Sequence, residues 1–209
     1  MSEYIHFPNL GYFKHQFNGD EISFLKEEIL DIQKNFGAAS NFNEKLAGAI
    51  ENEYQITKSQ KKLEELLIPL LKKYNDCSTI LTRFNYVSCD LPVYLDTVWV
   101  NFQKKNEYNP THNHVGIISF VCWINVPYDI DVEIQNGLGK QSNNNCPGFF
   151  ELLYTDSLGQ IVSHKIQISK EYENTIILFP AKMVHCVYPF STSEGYRISV
   201  SGNFKLFAN

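Results

Sequence analysis

The 209-residue sequence has only five cysteines and no Cys-x-x-Cys pair. An odd count, with Cys122 inside an apolar run, predicts reduced and packed thiols and excludes a disulfide framework or a zinc ribbon. The chain does not open with a basic segment followed by an apolar one. Its longest apolar stretch, 117–126, is about half of what a membrane span requires. These absences predict a cytoplasmic protein that does not enter a membrane.

The sequence also lacks clusters of positive charge. Its formal net charge is −5 and its pI is about 5.7, with Lys and Arg scattered along the chain. Nucleic acid is therefore not an expected partner. No Gly-x-Ser-x-Gly nucleophile elbow, phosphate-binding glycine loop or cysteine-protease signature is present, which removes three common enzyme classes. What is present, 44% hydrophobic and 14% aromatic residues, suits one folded domain.

The first third of the sequence shows helical periodicity. One amphipathic helix is predicted, with Asp20 as its N-cap and Gly37 at its end. A second helix is predicted from Thr57, where Thr57 and Gln60 can form a capping box, and Pro69 is expected to kink or split it. The apolar positions that define the first helix are Ile22, Leu25, Ile29, Ile32 and Phe36.

From residue 79 onward the sequence consists of short runs rich in Val, Ile, Phe and Tyr, separated by turn formers, a pattern typical of β-sandwiches and barrels. The predicted fold is mainly β with α: a double-stranded β-helix (jelly roll) with N-terminal helices packed on one outer face. We expect a single domain over 1–209, with a helical layer at 1–78 and a jelly-roll core at 79–209. The predicted strands are 79–87, 93–103, 115–126, 131–135, 149–154, 160–168, 174–179, 183–188 and 196–204.

Two histidines one residue apart, His112 and His114, suggest a metal site. Residues two apart in an extended strand point the same way, so both imidazoles can converge on one ion. Two histidines in a polar segment are also common as exposed loop residues. The pair therefore needs support from elsewhere in the chain.

That support comes from two downstream positions. His185 opens an apolar strand after the turn at Phe179-Pro180, although a lone histidine there could also be a core residue. Twelve residues later, Arg197 and Ser199 share the polar face of a strand whose other face is apolar. A polar inner face in a jelly roll predicts an occupied cavity, and an ordinary solvent-facing strand is the alternative.

Taken together, these segments resemble the 2-oxoglutarate and iron(II)-dependent oxygenase superfamily. They are most similar to the oxygenases of this type in bacteria and in tailed bacteriophages of cyanobacteria. The resemblance covers most of the chain and is strongest from Trp99 to Asn203. It is carried by Trp99-x-Asn101, His112-x-His114, the run 117–127, the run 177–185, Pro189 and Arg197-x-Ser199.

The resemblance implies an oxidoreductase that uses Fe(II), 2-oxoglutarate and molecular oxygen, with hydroxylation as the default outcome. The substrate would be a small molecule or a protein side chain, the location the host cytoplasm if a phage encodes the protein, and a homo-oligomer is compatible with the sequence. The implied metal ligands are His112, His114 and His185. The implied cosubstrate contacts are Arg197, Ser199 and Asn101. Candidates for the substrate pocket, which core or loop packing could also explain, are Trp99, Trp123, Tyr108 and Ser119.

Residue 114 departs from the family pattern, which has Asp or Glu at this position. Three neutral imidazoles would leave iron(II) with one more unit of positive charge than a triad containing a carboxylate. An alternative is that only one histidine of the pair binds, with a carboxylate recruited from Asp129, Asp131 or Glu133, or with water completing the coordination sphere.

Two other functions compete with the oxygenase. Cupin metalloenzymes also place His-x-His on a barrel strand, but they usually carry a glutamate about four residues later, which this sequence lacks. A jelly roll without catalysis, acting as a binding or virion-associated module, is the second alternative. The missing acidic ligand favours it, and the retained Arg197-x-Ser199 pattern argues against it.

Overall fold

The computed structural model describes residues 9–79, 81 and 93–207. The N-terminal part begins with a short strand, continues into a helix, and crosses a one-turn 3₁₀ helix and a second short strand before a longer helix. These elements are β1 (Phe13–Gln16), α1 (Ser23–Lys34), the 3₁₀ helix Asn43–Lys45, β2 (Glu53–Gln55) and α2 (Gln60–Ser78).

The rest of the described chain is mostly antiparallel strand. It contains β3 (Val93–Gln103), β4 (Asn109–His112), β5 (Ile118–Asn125), α3 (Ile130–Asn136), β6 (Phe150–Thr155), β7 (Ile161–Ile166), the 3₁₀ helix Lys170–Tyr172, β8 (Thr175–Pro180), β9 (Val184–Val187) and β10 (Arg197–Leu206).

The strands form two sheets, as the jelly-roll prediction requires. The larger has the order β1-β8-β5-β10-β3-β2 and the smaller the order β4-β9-β6-β7. Every strand pair is antiparallel. Consecutive strands alternate between the two sheets over much of the chain, so residues from distant positions line the space between them. The predicted mainly-β jelly roll is confirmed.

Two apolar clusters hold these layers together. The larger combines residues of α1 and α2 with one face of the six-stranded sheet, including Leu25, Leu67 and Val100. The smaller lies between the two sheets around Trp123 and Phe179. Each buried Leu or Phe contributes about 1.5–3 kcal/mol of apolar transfer free energy, so both clusters are large enough to fix the sheets relative to each other.

The helix starts differ from the sequence prediction. No side chain caps α1: its N-cap is Ile22, and Asp20 contributes only its backbone carbonyl. The predicted Thr57 capping box does not form either, because α2 begins at Gln60. The carboxylate of Glu28 on α1 instead accepts the backbone N–H groups of residues 57, 58 and 59 at 3.0, 3.0 and 2.6 Å. A tertiary contact thus fixes the segment just before α2, and no side chain caps the N-terminus of the helix itself.

Other elements also depart from the prediction. α2 runs through Pro69 without a break, so the expected split does not occur. The predicted strand 131–135 is wrong: this segment is α3, because the Asp129 side chain accepts the N–H groups of Asp131 and Val132 and caps a helix. The strand predicted at 79–87 falls mainly outside the described residues. The short strands β1 and β2 were not predicted.

No helix in the described ranges combines the length and the apolar character needed to cross a bilayer.

Candidate active site

Three histidines meet between the two sheets. His112 ends β4 and pairs in register with His185 on β9, while His114 follows β4 by two residues. The ring centroids of His112 and His185 are 4.2 Å apart, those of His112 and His114 4.9 Å, and those of His114 and His185 5.0 Å. One nitrogen of each ring lies within 4.8 Å of the others. The strands therefore bring together the three predicted ligands.

Backbone carbonyls orient two of these rings. Nδ1 of His112 lies 2.6 Å from the carbonyl oxygen of Pro110, and Nδ1 of His185 lies 3.0 Å from that of Met183. In each ring Nδ1 donates its hydrogen to that oxygen, which leaves a lone pair on Nε2 for a metal ion. This arrangement is the usual outer support of a metal-binding histidine.

Burial keeps the imidazoles uncharged. Desolvation lowers the pKa of His114 to about 4, and desolvation with the nearby His112 lowers that of His185 to about 3. Burial also lowers the pKa of His112, against its bond to Pro110. All three rings are therefore neutral at pH 7, which is the form that binds a metal ion.

Among the described residues, this cluster contains no aspartate or glutamate. The carboxylates considered as replacements have other roles. Asp129 caps α3, and Glu133 accepts hydrogen bonds from the backbone and hydroxyl groups of Ser191 and Thr192. The structure brings none of these carboxylates into the cluster, and the side chains that it does bring together there are three imidazoles.

Arg197 lies in the wall of the same cavity and is 2% exposed. Its Nε and Nη2 both donate to Oε1 of Gln103, at 3.0 and 2.6 Å. Nη1 donates to Tyr128 Oη and to the Gly148 carbonyl, and Nη2 also donates to the Tyr188 carbonyl, at 2.9, 2.7 and 2.8 Å. All five guanidinium N–H donors are thus bonded to protein acceptors.

Those acceptors are all neutral, so the Arg197 charge has no counter-ion among the described residues. The guanidinium carbon lies 5.9 Å from the ring centre of Tyr128 and 5.6 Å from that of Phe190, which adds favourable cation–π contacts. A buried cation without an anion is costly unless an anionic ligand joins it. The uncompensated positive charge of Arg197 therefore fits a carboxylate that enters the cavity.

The remaining predicted site residues are divided between the cavity and other places. Trp99, Asn101, Trp123 and Ser199 line the cavity. Asn101 Nδ2 lies 3.3 Å from the Ser199 hydroxyl, so these two polar groups are linked.

Two candidates for the substrate pocket lie elsewhere. Ser119 donates its hydroxyl to Asn203 Oδ1 at 2.7 Å, and Tyr108 is 46% exposed on the surface. Neither is part of the cavity lining. Ser119 is displaced because its strand continues past the cavity, and the neighbour of Tyr108 that does line it is Asn109.

Sequence reasoning missed two polar residues of the site. Gln103 and Tyr128 were not singled out, although Gln103 follows Trp99 and Asn101 on the same face of β3. That alternation was the one available signal. The role of Tyr128 depends on a loop whose course the sequence does not show.

A jelly roll with a partly buried three-histidine cluster and a buried arginine in one cavity defines the class: a metal-dependent enzyme with a cationic group for an anionic ligand. Residues 97–203 match the family described as "Putative 2OG-Fe(II) oxygenase". The chain belongs to this family, and its cofactors are Fe(II) and 2-oxoglutarate. This membership favours an oxygenase over the cupin and the inactive module. No curated protein sequence matches the chain.

Solved structures share the fold at low sequence identity. A Pseudomonas putida prolyl-4-hydroxylase matches with a TM-score of 0.58 and 13% identity, over 95% of this chain and 94% of that one. AviO1 from Streptomyces viridochromogenes matches with 0.54 and 12%, over 94% and 90%. A Trichoplax adhaerens prolyl hydroxylase, solved with a hypoxia inducible factor peptide, matches with 0.52 and 12%, over 94% and 83%. These likenesses establish the fold.

Proposed function

We propose that this protein is an Fe(II)- and 2-oxoglutarate-dependent dioxygenase that hydroxylates its substrate, and that residues 1–209 form one oxygenase domain. The observation that carries this proposal is the group of three histidines, the half-buried His112 and His114 and the buried His185. Two of them have Nδ1 bonded to a backbone carbonyl, and all three are neutral at pH 7. Such a set has little use in a core and suits a metal ion.

In this proposal the three histidines hold Fe(II) and leave its other positions for ligands. When bound, iron and 2-oxoglutarate activate molecular oxygen, with the cosubstrate decarboxylated to succinate and carbon dioxide. Phe150 and Phe179 pack against the His185 ring at centroid distances of 5.4 and 5.0 Å. These apolar rings restrict water on that side of the site.

Arg197 binds the far carboxylate of 2-oxoglutarate in this proposal. A guanidinium can offer paired donors to a carboxylate, and a bond to a charged acceptor is stronger than one to a neutral acceptor. The carboxylate would take the Nε and Nη2 donors that Gln103 Oε1 now accepts. The linked pair of Asn101 and Ser199, in register on β3 and β10, supplies further donors nearby.

The third histidine changes the charge of the site. A neutral imidazole at residue 114 leaves Fe(II) with its full double positive charge, whereas a carboxylate would cancel one unit. The dianionic cosubstrate is therefore attracted more strongly than in a site containing an acidic ligand. This difference makes a three-histidine site compatible with the same cosubstrate.

The test is an anaerobic titration of the purified protein with Fe(II) and then 2-oxoglutarate. Chelation of the metal by the keto acid gives a visible charge-transfer band, and admission of air should then release succinate. Zn²⁺ in place of Fe(II) is the control, because it can occupy the histidines but gives no such band. If folded protein binds Fe(II) and yields neither the band nor succinate, the proposal is wrong.

A further inference from the structure

One acidic side chain on the cavity side of the sheet makes no side-chain hydrogen bond or ion pair with the described residues. Glu53 on β2 is 1% exposed, and neither of its carboxylate oxygens has a hydrogen-bond partner among the described residues. Burying such a group without a partner costs several kcal/mol or forces it to stay protonated. No described lysine or arginine forms an ion pair with it. A group this costly points to a partner that comes from outside the chain.

The sheet register directs Glu53 toward the cavity. Glu53 pairs with Asn101 on β3, and directly paired residues of neighbouring antiparallel strands project from the same face. Asn101 lines the cavity, as do Trp99 and Gln103 on the same face of β3. The Glu53 carboxyl therefore lies on the cavity side of the sheet.

Other unpartnered oxygens lie in the same place. Oδ1 of Asn101 and Oδ1 of Asn109 are also buried without a hydrogen-bond partner, and both residues line the cavity. Gly48 marks where two of these groups converge. A Cβ added to Gly48 would collide with Asn109 Oδ1 and would lie 2.9 Å from Glu53 Oε1. The Asn109 and Glu53 oxygens thus already occupy the space that a side chain at residue 48 would need, and both approach the same point beside the glycine.

The chemistry of this cluster is one-sided. When Glu53 is ionised, its two carboxylate oxygens and the two amide oxygens offer acceptors only, so the missing partner must supply donors. The negative charge of the ionised Glu53 favours a cationic donor over a hydroxyl. A primary ammonium has three donors around one small centre, whereas a guanidinium is a broad planar fork. The approach of the Glu53 and Asn109 oxygens to one point at Gly48 suits the compact ammonium.

The charges of the loaded site agree with this assignment. Fe(II) and Arg197 bring three positive charges, and 2-oxoglutarate brings two negative charges. A cationic substrate would therefore enter a cavity with a net positive charge, and an additional carboxylate is needed to attract it. Glu53 is a carboxyl group that the strand register puts on this face of the sheet, beside the lining residue Asn101.

We propose that Glu53, Asn101 and Asn109 form a subsite for a primary ammonium group of the substrate. The inference rests on the proposed oxygenase function, because it names the class of molecule that the iron site oxidises. Asn101 connects the two binding regions: its Nδ2 faces Ser199 on the cosubstrate side, and its Oδ1 remains for the ammonium group.

The probe for this subsite is methylammonium chloride, titrated by calorimetry into anaerobic protein holding Fe(II) and 2-oxoglutarate. We expect the wild type to bind methylammonium but not tetramethylammonium, which has no N–H donor. Glu53→Gln should weaken methylammonium binding at least about tenfold, equivalent to ~1.4 kcal/mol, without lowering the melting temperature. Gly48→Ala, whose methyl group would collide with the Asn109 and Glu53 oxygens and force them apart, should also abolish binding.

The matched control is Glu151→Gln. Glu151 is 6% exposed but accepts hydrogen bonds from Tyr188 and Cys186, so its replacement should reduce stability and leave methylammonium binding unchanged. The inference is overturned if the wild type does not bind methylammonium, or if Glu53→Gln and Gly48→Ala bind it as the wild type does. A lower melting temperature for Glu53→Gln would point to a structural role instead.

The two proposals fail in different ways. If the charge-transfer band forms normally but methylammonium does not bind, the oxygenase function stands and the ammonium subsite is wrong. If methylammonium binds to the wild type and not to Glu53→Gln, but neither the band nor succinate appears, the subsite stands and the oxygenase function is wrong.

Discussion

Arg197 and Glu53 are both buried charges beside the same cavity, but they differ in how the protein treats them. Arg197 has all five N–H donors bonded to Gln103, Tyr128 and two backbone carbonyls. Glu53 has no hydrogen bond to either carboxylate oxygen. The arginine is held in place before any ligand arrives, whereas the glutamate is not.

This difference separates two ways of building a binding site. A preorganised donor such as Arg197 loses little entropy when a carboxylate binds, because neighbouring groups already fix its position. An unsatisfied group such as Glu53 reduces the stability of the free protein, and binding of its ligand offsets this free-energy cost. Replacing Arg197 should therefore lower both stability and ligand binding. Replacing Glu53 should raise stability and lower ligand binding.

The histidines hold the metal ion on which both the cosubstrate at Arg197 and the substrate at Glu53 depend, so their loss should have the largest effect. His185→Ala removes one of three nitrogen ligands, and we expect Fe(II) affinity to fall by more than about 100-fold, beyond the 10–100-fold loss usual for outer-shell changes. The measurement is iron content after anaerobic desalting. His164→Ala, at an exposed position on β7, is the control and should retain iron. Retention of full iron content by His185→Ala would remove this residue from the metal site.

Replacing Arg197 should damage cosubstrate binding and stability together. Arg197→Ala removes a buried charged donor, which typically costs 2–5 kcal/mol, so we expect the Kd for 2-oxoglutarate to rise roughly 100-fold. It also leaves Gln103 Oε1 and the Tyr188 carbonyl without donors, and the melting temperature should fall. The Kd is measured by titrating the visible band. Arg197→Lys should be intermediate, because it keeps the charge and loses the fork. An unchanged Kd in both variants would show that another group anchors the cosubstrate.

Glu53 should affect stability in the opposite direction and in a pH-dependent way. Burial, with the nearby Glu107, raises its pKa from 4.5 to about 7. A raised carboxyl pKa means that its contribution to stability is present below about 4.5 and is lost as pH rises to about 7. Glu53→Gln should therefore match the wild type near pH 4.5 and exceed it at pH 8 by up to roughly 3 kcal/mol. Urea unfolding of both proteins at both pH values tests this, and a difference that does not change with pH would contradict it.

The jelly roll and part of the site could be predicted because their signals are local. Alternation along β10 put Arg197 and Ser199 on one face, and the spacing of His112 and His114 indicated a shared direction. Both directions depend on strand period alone. The grouping of His185 with that pair as metal ligands came from the family resemblance, because no local pattern joins segments so far apart in the chain.

The features that were missed depend on contacts between distant segments. Glu28 on α1 accepts hydrogen bonds from the segment just before α2, and Gln103 on β3 accepts hydrogen bonds from Arg197 on β10. The oxygens of Glu53 and Asn109 approach the same point beside Gly48. The α3 error has a different cause. Ile130, Val132 and Ile134 alternate with polar residues as in a strand, and the cap at 129 together with the burial of residue 133 decides for helix.

The smallest predicted effect concerns Gln103, which holds the arginine fork in the absence of cosubstrate. Its Oε1 accepts from the two donors that a carboxylate would use, so 2-oxoglutarate must displace a neutral acceptor before it binds there. Gln103→Ala removes this competitor, and the Kd for 2-oxoglutarate should fall by about five- to tenfold, near 1 kcal/mol.

The same variant should unfold at a lower temperature, because two Arg197 donors lose their acceptor and the Glu107 carbonyl loses a donor. Gln167→Ala, at an exposed position, is the control for removing a glutamine amide. Titration of the visible band with 2-oxoglutarate measures the effect. A higher Kd for 2-oxoglutarate in Gln103→Ala would contradict this expectation. It would mean that Gln103 helps binding by orienting Arg197 more than it hinders binding by competing with the carboxylate for the Arg197 donors. Arg197 would then depend on its neighbours for cosubstrate binding as well as for stability. The difference from Glu53 would be only that neighbouring groups hold Arg197 in position before a ligand binds.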